Sequence, residues 1–158
     1  MSIILGVDPG TTTIGFALIE KSKNNLELLD YGIVETPPKM ELKYKLLEIG
    51  TDIGELLDIH KPDLVSIEKL FFTTNIKTGI DVSHARGVIM YEAIKRGIEI
   101  LEFTPLELKH AITGYGKADK KQVQNAIKII MKLETIPKPD DAADAVCLAY
   151  IGALNLKK

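Results

Sequence analysis

Four carboxylates in this chain stand where an element begins or ends. Asp8 closes the apolar run Ile3-Ile4-Leu5-Gly6-Val7 and is followed at once by Pro9-Gly10, which puts it at the exit of a strand. Glu68 closes a second such run, Leu64-Val65-Ser66-Ile67. Asp141 and Asp144 open the last apolar-rich stretch and, three residues apart, project from one face of a helix. Singly, each has an ordinary role as a turn starter, a strand-end surface residue or a first-turn helix stabiliser. Gathered in one place, they would repel one another and hold raised pKa values unless cations shared the site. All-oxygen ligands suit Mg²⁺ or Mn²⁺. Two such ions, about 3.5–4 Å apart, can generate a hydroxide and stabilise the leaving oxygen of an in-line phosphoryl displacement. The chemistry this set points to is hydrolysis of a phosphodiester.

The charge pattern fits a polyanionic substrate better than the net charge does. The whole chain is at −2, which argues against indiscriminate binding to a polyanion. Between positions 109 and 132, however, Lys109, Lys117, Lys120, Lys121, Lys128 and Lys132 face only Asp119. That local excess favours phosphate contact, with a solvated helix face as the alternative reading of Lys120 and Lys121. Phe71 and Phe72 sit side by side in the connection after Glu68, an unusual choice for a solvent-exposed loop, with core filling as the alternative. Cys147 lies among apolar neighbours and reads as a core thiol. His60, His84 and His110 fall on helices or their ends and read as structural or surface residues.

The elements that must position these groups follow from periodicity. After the first strand, Thr13 to Glu20 and Leu26 to Thr36 read as two more strands on short turns, which makes an antiparallel meander. Leu42, Leu46, Ile49, Ile53, Leu56 and Leu57 give a helix from Glu41 to Lys61, ended by Pro62. The strand Asp63 to Glu68, reached through that helix, can then lie parallel to the first. A helix from about Thr78 to Lys95 stops at Gly97, and Ile98 to Phe103 makes the fifth strand. Thr104-Pro105 starts a short helix, and two more helices are expected from about Ala118 to Leu133 and from Asp140 to about Leu154.

At 158 residues, 46% of them apolar and 27% charged, the chain has the size and composition of one globular domain spanning 1–158. One cysteine excludes a disulfide framework within a monomer. The short N-terminal apolar run with no basic leader reads as neither signal peptide nor membrane span, so the cytoplasm is the expected compartment.

Four segments together resemble one family. Ile-Leu-Gly-Val-Asp8-Pro-Gly-Thr, Ser-Ile-Glu68-Lys-Leu-Phe71, Ser83-His84-Ala85-Arg86-Gly87-Val88 and Asp141-Ala-Ala-Asp144-Ala are similar, in order and spacing, to the RuvC family of Holliday junction resolvases. The resemblance covers nearly the whole chain. It implies an RNase H-like α/β fold with a five-stranded mixed sheet flanked by helices, and a homodimer that nicks four-way DNA junctions symmetrically with Mg²⁺. It implies that Asp8, Glu68, Asp141 and Asp144 are the catalytic, metal-binding carboxylates. By the same resemblance Lys109 and Lys120, with Lys121 beside it, lie near the cleaved backbone, Phe71 contacts bases at the junction centre, and RuvA and RuvB are partners. Asp140 beside Asp141, Lys121 beside Lys120 and Phe72 beside Phe71 leave a choice of one residue open in each pair.

Three other functions share parts of this pattern. Gly-Val-Asp8-Pro-Gly-Thr-Thr-Thr also resembles the first phosphate-binding loop of the actin, Hsp70 and sugar-kinase group, whose two lobes a chain of this length does not supply. An RNase H-like ribonuclease acting on RNA or an RNA–DNA hybrid would carry the same carboxylates. A catalytically silent DNA-binding module would be burdened by four acids beside phosphates.

Overall fold

A computed structural model of the chain describes residues 1–69 and 76–157. Three strands follow one another directly: β1 (Ser2–Asp8), β2 (Thr13–Lys21) and β3 (Leu26–Glu35). Then come α1 (Leu42–His60), β4 (Leu64–Glu68), α2 (Ile76–Lys95) and β5 (Glu99–Phe103). The chain closes with α3 (Pro105–Thr113), α4 (Lys120–Ile130) and α5 (Asp140–Asn155). The strands form one five-stranded sheet in the order β3-β2-β1-β4-β5. β1 pairs antiparallel with β2 and β2 with β3, whereas β1–β4 and β4–β5 are parallel, because helices supply the crossovers after the meander. This is the mixed sheet of an RNase H-like fold.

Two apolar layers cover the sheet. On one face Leu5, Val7, Leu18, Val65 and Ile67 pack with Ile49, Ile53 and Leu57 of α1 and Ala85, Ile89 and Ala93 of α2. On the other, Ile4, Ala17, Ile19 and Leu64 pack with Val123 and Ile127 of α4 and Ala145, Ala149 and Ala153 of α5. Strand side chains alternate between faces, so this division fixes where every strand residue points. No helix among the described residues is long and apolar enough to cross a membrane.

Most element bounds agree with periodicity, and the departures have local causes. The helix expected from about Ala118 to Leu133 is shorter. Asp119 caps it through a reciprocal pair with Gln122, and the far end is cut by Lys132 in the left-handed region at φ 54°. Leu26 to Thr36 ends one residue earlier as a strand, since Thr36 turns its N–H to Thr12 and its hydroxyl to Thr11. α1 ends on Lys61, also left-handed, just before Pro62.

Candidate metal centre

The register of the two parallel strands delivers the first pair of acids. Val7 stands opposite Ile67, and both are buried in the layer under α1 and α2. The next residue on each strand must face the other way, so Asp8 and Glu68 emerge side by side on the face that α5 covers. Around them on that face the strands carry small residues, Gly6, Gly15, Ala17 and Ser66. A Cβ at Gly6 would run into the Ala145 carbonyl and the Ala149 amide, and one at Gly15 into the Asp141 carbonyl. Ser66 donates its hydroxyl to the Leu148 carbonyl at 2.5 Å. These small residues let α5, itself rich in alanine, lie directly on the strands.

That close approach completes the site. Gly15 is the pairing partner of Asp8, so the first turn of α5 resting on Gly15 brings Asp141 and then Asp144 beside Asp8. Asp8, Asp141 and Asp144 each offer a carboxylate oxygen, all within 4.8 Å of one another. Glu68 lies outside that group but close enough to raise the pKa of Asp8, and it is acted on by Asp144. It lines a cleft of about 200 Å³ with Asp144, Lys109 and Lys120, walled by Pro105, Leu108, Val123 and Leu148.

The electrostatics are those of crowded acids. Burial, then the charges of Asp144, Glu68 and Asp141, push Asp8 up to about 9, and hydrogen bonding to Asp141 adds to the rise. Glu68 is raised by burial and by Asp144, against the opposing pull of Lys109 and Lys120. Asp144 is raised chiefly by burial, with Lys120 opposing. The same oxygens that trap a proton here are a donor set for a hard divalent cation, whose charge would replace that proton.

The neighbouring aspartates point to different surroundings. Asp140 is exposed and turned away, accepting from Lys120 at 3.2 Å and Gln124 at 3.1 Å, which holds its carboxyl below the usual range. Asp141 is the one in the cluster. Lys120 also stands 3.9 Å from Asp144. Its partial burial works against the charged form, but Asp144, Asp140 and Asp141 outweigh that and its pKa is raised. Lys121, one residue on, is exposed and has no ion pair among the described residues. Phe71 and Phe72 lie outside the described residues. Cys147 is buried in the core, and that burial pushes its thiol pKa up.

One contributor was not singled out by chemistry in the sequence. Arg86 of α2 donates its Nε to the Glu68 carbonyl at 3.0 Å and pairs with Glu102 of β5. It thereby pins the end of β4, while Lys69 donates its amide to Phe103 at 2.7 Å. The signal was its place in the family-like segment Ser83 to Val88, where no role was assigned to it.

Comparison with known proteins agrees with this geometry. The family model described as crossover junction endodeoxyribonuclease RuvC matches residues 4–151. The protein named crossover junction endodeoxyribonuclease RuvC in Halothermothrix orenii is 46% identical over 147 residues, covering 93% of this chain and 89% of the relative. Its counterpart in Alkaliphilus metalliredigens is 48% identical over 151 residues, covering 96% and 92%. Among solved structures, Thermus thermophilus RuvC in complex with Holliday junction substrate superposes with a TM-score of 0.87 at 28% identity, covering 94% of this chain and 91% of that one. With the family match spanning residues 4–151 and relatives at 46% and 48% identity over most of the chain, this chain belongs to the RuvC family of crossover junction endodeoxyribonucleases.

Proposed function

We propose that this chain resolves four-way DNA junctions by hydrolysing one phosphodiester in each of two opposed strands, using divalent metal held by Asp8, Glu68, Asp141 and Asp144. The observation that carries this reading is the approach of three carboxylates from β1 and α5 to within 4.8 Å, with Glu68 of β4 beside them. Mg²⁺, with Mn²⁺ able to substitute and two ions per site, fits a set of carboxylate oxygens that leaves room for water and phosphate. Bound there, the ions supply an activated water and charge stabilisation of the leaving oxygen.

The chain's own residues do the rest. Lys109 and Lys120 present point charges in the cleft they share with Glu68 and Asp144, to meet a phosphate approaching the carboxylates. Lys120, now held by Asp140 and Asp144, exchanges carboxylate for phosphate, and Lys121 adds a charge on the solvent side. Phe71 is assigned to stacking on unpaired bases near the junction centre, from sequence alone. The apolar wall of Pro105, Leu108, Val123 and Leu148 lowers the local dielectric around these charges.

Symmetric cutting calls for two sites related by a two-fold axis, hence a homodimer. The apolar residues of α2 divide between core and surface. Ile89 and Ala93 are buried in the core, and Val88 packs against it. The outward stripe of α2 is Ile80, His84, Gly87, Tyr91 and Ile94, with Ile80, Tyr91 and Ile94 all exposed, and this stripe is the proposed interface. The branch-migration proteins RuvA and RuvB are the proposed partners, one nuclease domain the proposed organisation, and the cytoplasm, where a lone buried thiol stays reduced, the proposed location.

A nicking assay on a synthetic four-way junction, a linear duplex and an RNA–DNA hybrid, each with and without Mg²⁺, tests the reading. Paired nicks in the junction that need Mg²⁺ are expected, with little cutting of duplex. Preferential cleavage of the hybrid would replace it with a ribonuclease.

A further inference from the structure

The turn that leaves β1 carries donors that the carboxylate site does not use. Gly10, Thr11 and Thr12 lie between β1 and β2, and none of their backbone N–H groups donates to a protein acceptor among the described residues. Their carbonyls, by contrast, are engaged. The Thr11 carbonyl accepts the Thr36 hydroxyl at 2.5 Å, and the Thr12 carbonyl accepts the Thr36 amide at 2.9 Å. Gly10 has no room for a side chain, because a Cβ would strike the Thr13 carbonyl. The turn is thus clamped by its acceptors and leaves its donors open, the arrangement in which successive amides receive an anion.

A buried cation stands at the same turn. Lys45, in the first turns of α1, is only 7% exposed, and its Nζ donates to the Thr12 hydroxyl at 2.8 Å. No acidic group pairs with it among the described residues. An ammonium has three protons to donate, and burying one without a counter-charge is costly, so this lysine is held short of partners. The start of α1 adds to the positive potential. Its first turn contains no acid, and Glu41 at the N-cap makes no capping bond, lying instead 3.4 Å from Lys43.

We propose that Lys45, the Thr12 hydroxyl and the Gly10–Thr12 amides form a second phosphate subsite, which holds a backbone phosphate of the cut strand next to the scissile one. The inference rests on the junction-cleaving reading above. The turn starts one residue after Asp8, so a strand whose scissile phosphate lies at the carboxylates passes this turn with a neighbouring nucleotide. Binding that neighbour fixes the strand's register and so aligns the reacting bond. It also gives a function to the phosphate-loop likeness of Gly-Val-Asp-Pro-Gly-Thr, with DNA in place of nucleotide.

Methylphosphonate scanning of the cut strand tests this, with single-turnover cleavage of a synthetic junction by wild type, Lys45→Met and Lys45→Arg. One position flanking the scissile phosphate is expected to slow wild type by roughly ten- to hundredfold when neutralised. Lys45→Met should lose a similar factor on the native junction and nothing more on that modified one, while Lys45→Arg recovers most of the rate. The slope of log affinity against log salt should fall by about 1 in Lys45→Met. Independent losses at every position, or an unchanged slope, would overturn the subsite. Should Lys45→Met fail to fold, the wild-type chain titrated with sodium phosphate supplies the decision by NMR. Downfield amide proton shifts confined to Gly10, Thr11 and Thr12 support the subsite, and unshifted amides overturn it. If wild type cuts no junction at all, the nuclease reading fails on that result, while the salt slope and the amide shifts still decide the subsite.

Discussion

Asp8 is the residue on which the acid cluster turns. Its folded-state pKa of about 9 against 3.8 for the free group means that the folded chain keeps a proton the unfolded chain has lost. The resulting stability is fully present below the unfolded pKa and is lost as pH climbs through that window. The raised pKa values of Glu68 and Asp144 act in the same direction. In EDTA, the melting temperature should therefore fall from about pH 5 to about pH 9, and Asp8→Asn should flatten that fall and melt higher at the alkaline end. Circular dichroism melts across this range check it; a melting temperature that rises with pH would contradict the crowding. Metal must displace the same proton, so Mg²⁺ should raise the melting temperature more at pH 8 than at pH 6, and Asp144→Asn should shrink the rise.

At the level of elements, the site depends on how low α5 sits on the sheet. Gly15→Ala would force a methyl against the Asp141 carbonyl and lift the helix end that carries two of the acids. It should cost about 1–3 kcal/mol in urea unfolding and weaken the metal response as well, whereas a substitution that only loosened packing would spare the latter. The strands, the crossover helices and the acids at their ends were legible in the sequence, because period and punctuation are local signals. The seating of α5 was less so. Gly6 and Gly15 look like ordinary strand glycines until Ala145 and Ala149 are laid over the first and Asp141 over the second, and that pairing spans most of the chain. The spacing to Asp144 favoured Asp141 over Asp140, but the contacts of Asp140 with Lys120 and Gln124 on α4 were not legible in it. The apolar character of Ile89 and Ala93 would suit core and surface contact alike, and the orientation of α2 assigns them to the core.

The whole molecule poses the question of symmetry. On the outward face of α2, between Ile80 and Tyr91, a side chain at Gly87 would meet nothing among the described residues, which would let two such helices cross closely. The double substitution Tyr91→Glu with Ile94→Asp should shift sedimentation from dimer to monomer and uncouple the two nicks, while leaving the monomer's melting temperature nearly unchanged, since both side chains are exposed. The most direct test of the account as a whole is cleavage and binding measured side by side on one synthetic four-way junction, with wild type and Asp8→Asn. Wild type should give paired, symmetric, Mg²⁺-dependent nicks. Asp8→Asn should give none while binding the junction as tightly or more tightly, because removing an acid lowers repulsion towards phosphate. Cutting by Asp8→Asn at the wild-type rate would contradict the assignment of the carboxylate cluster as the catalytic centre.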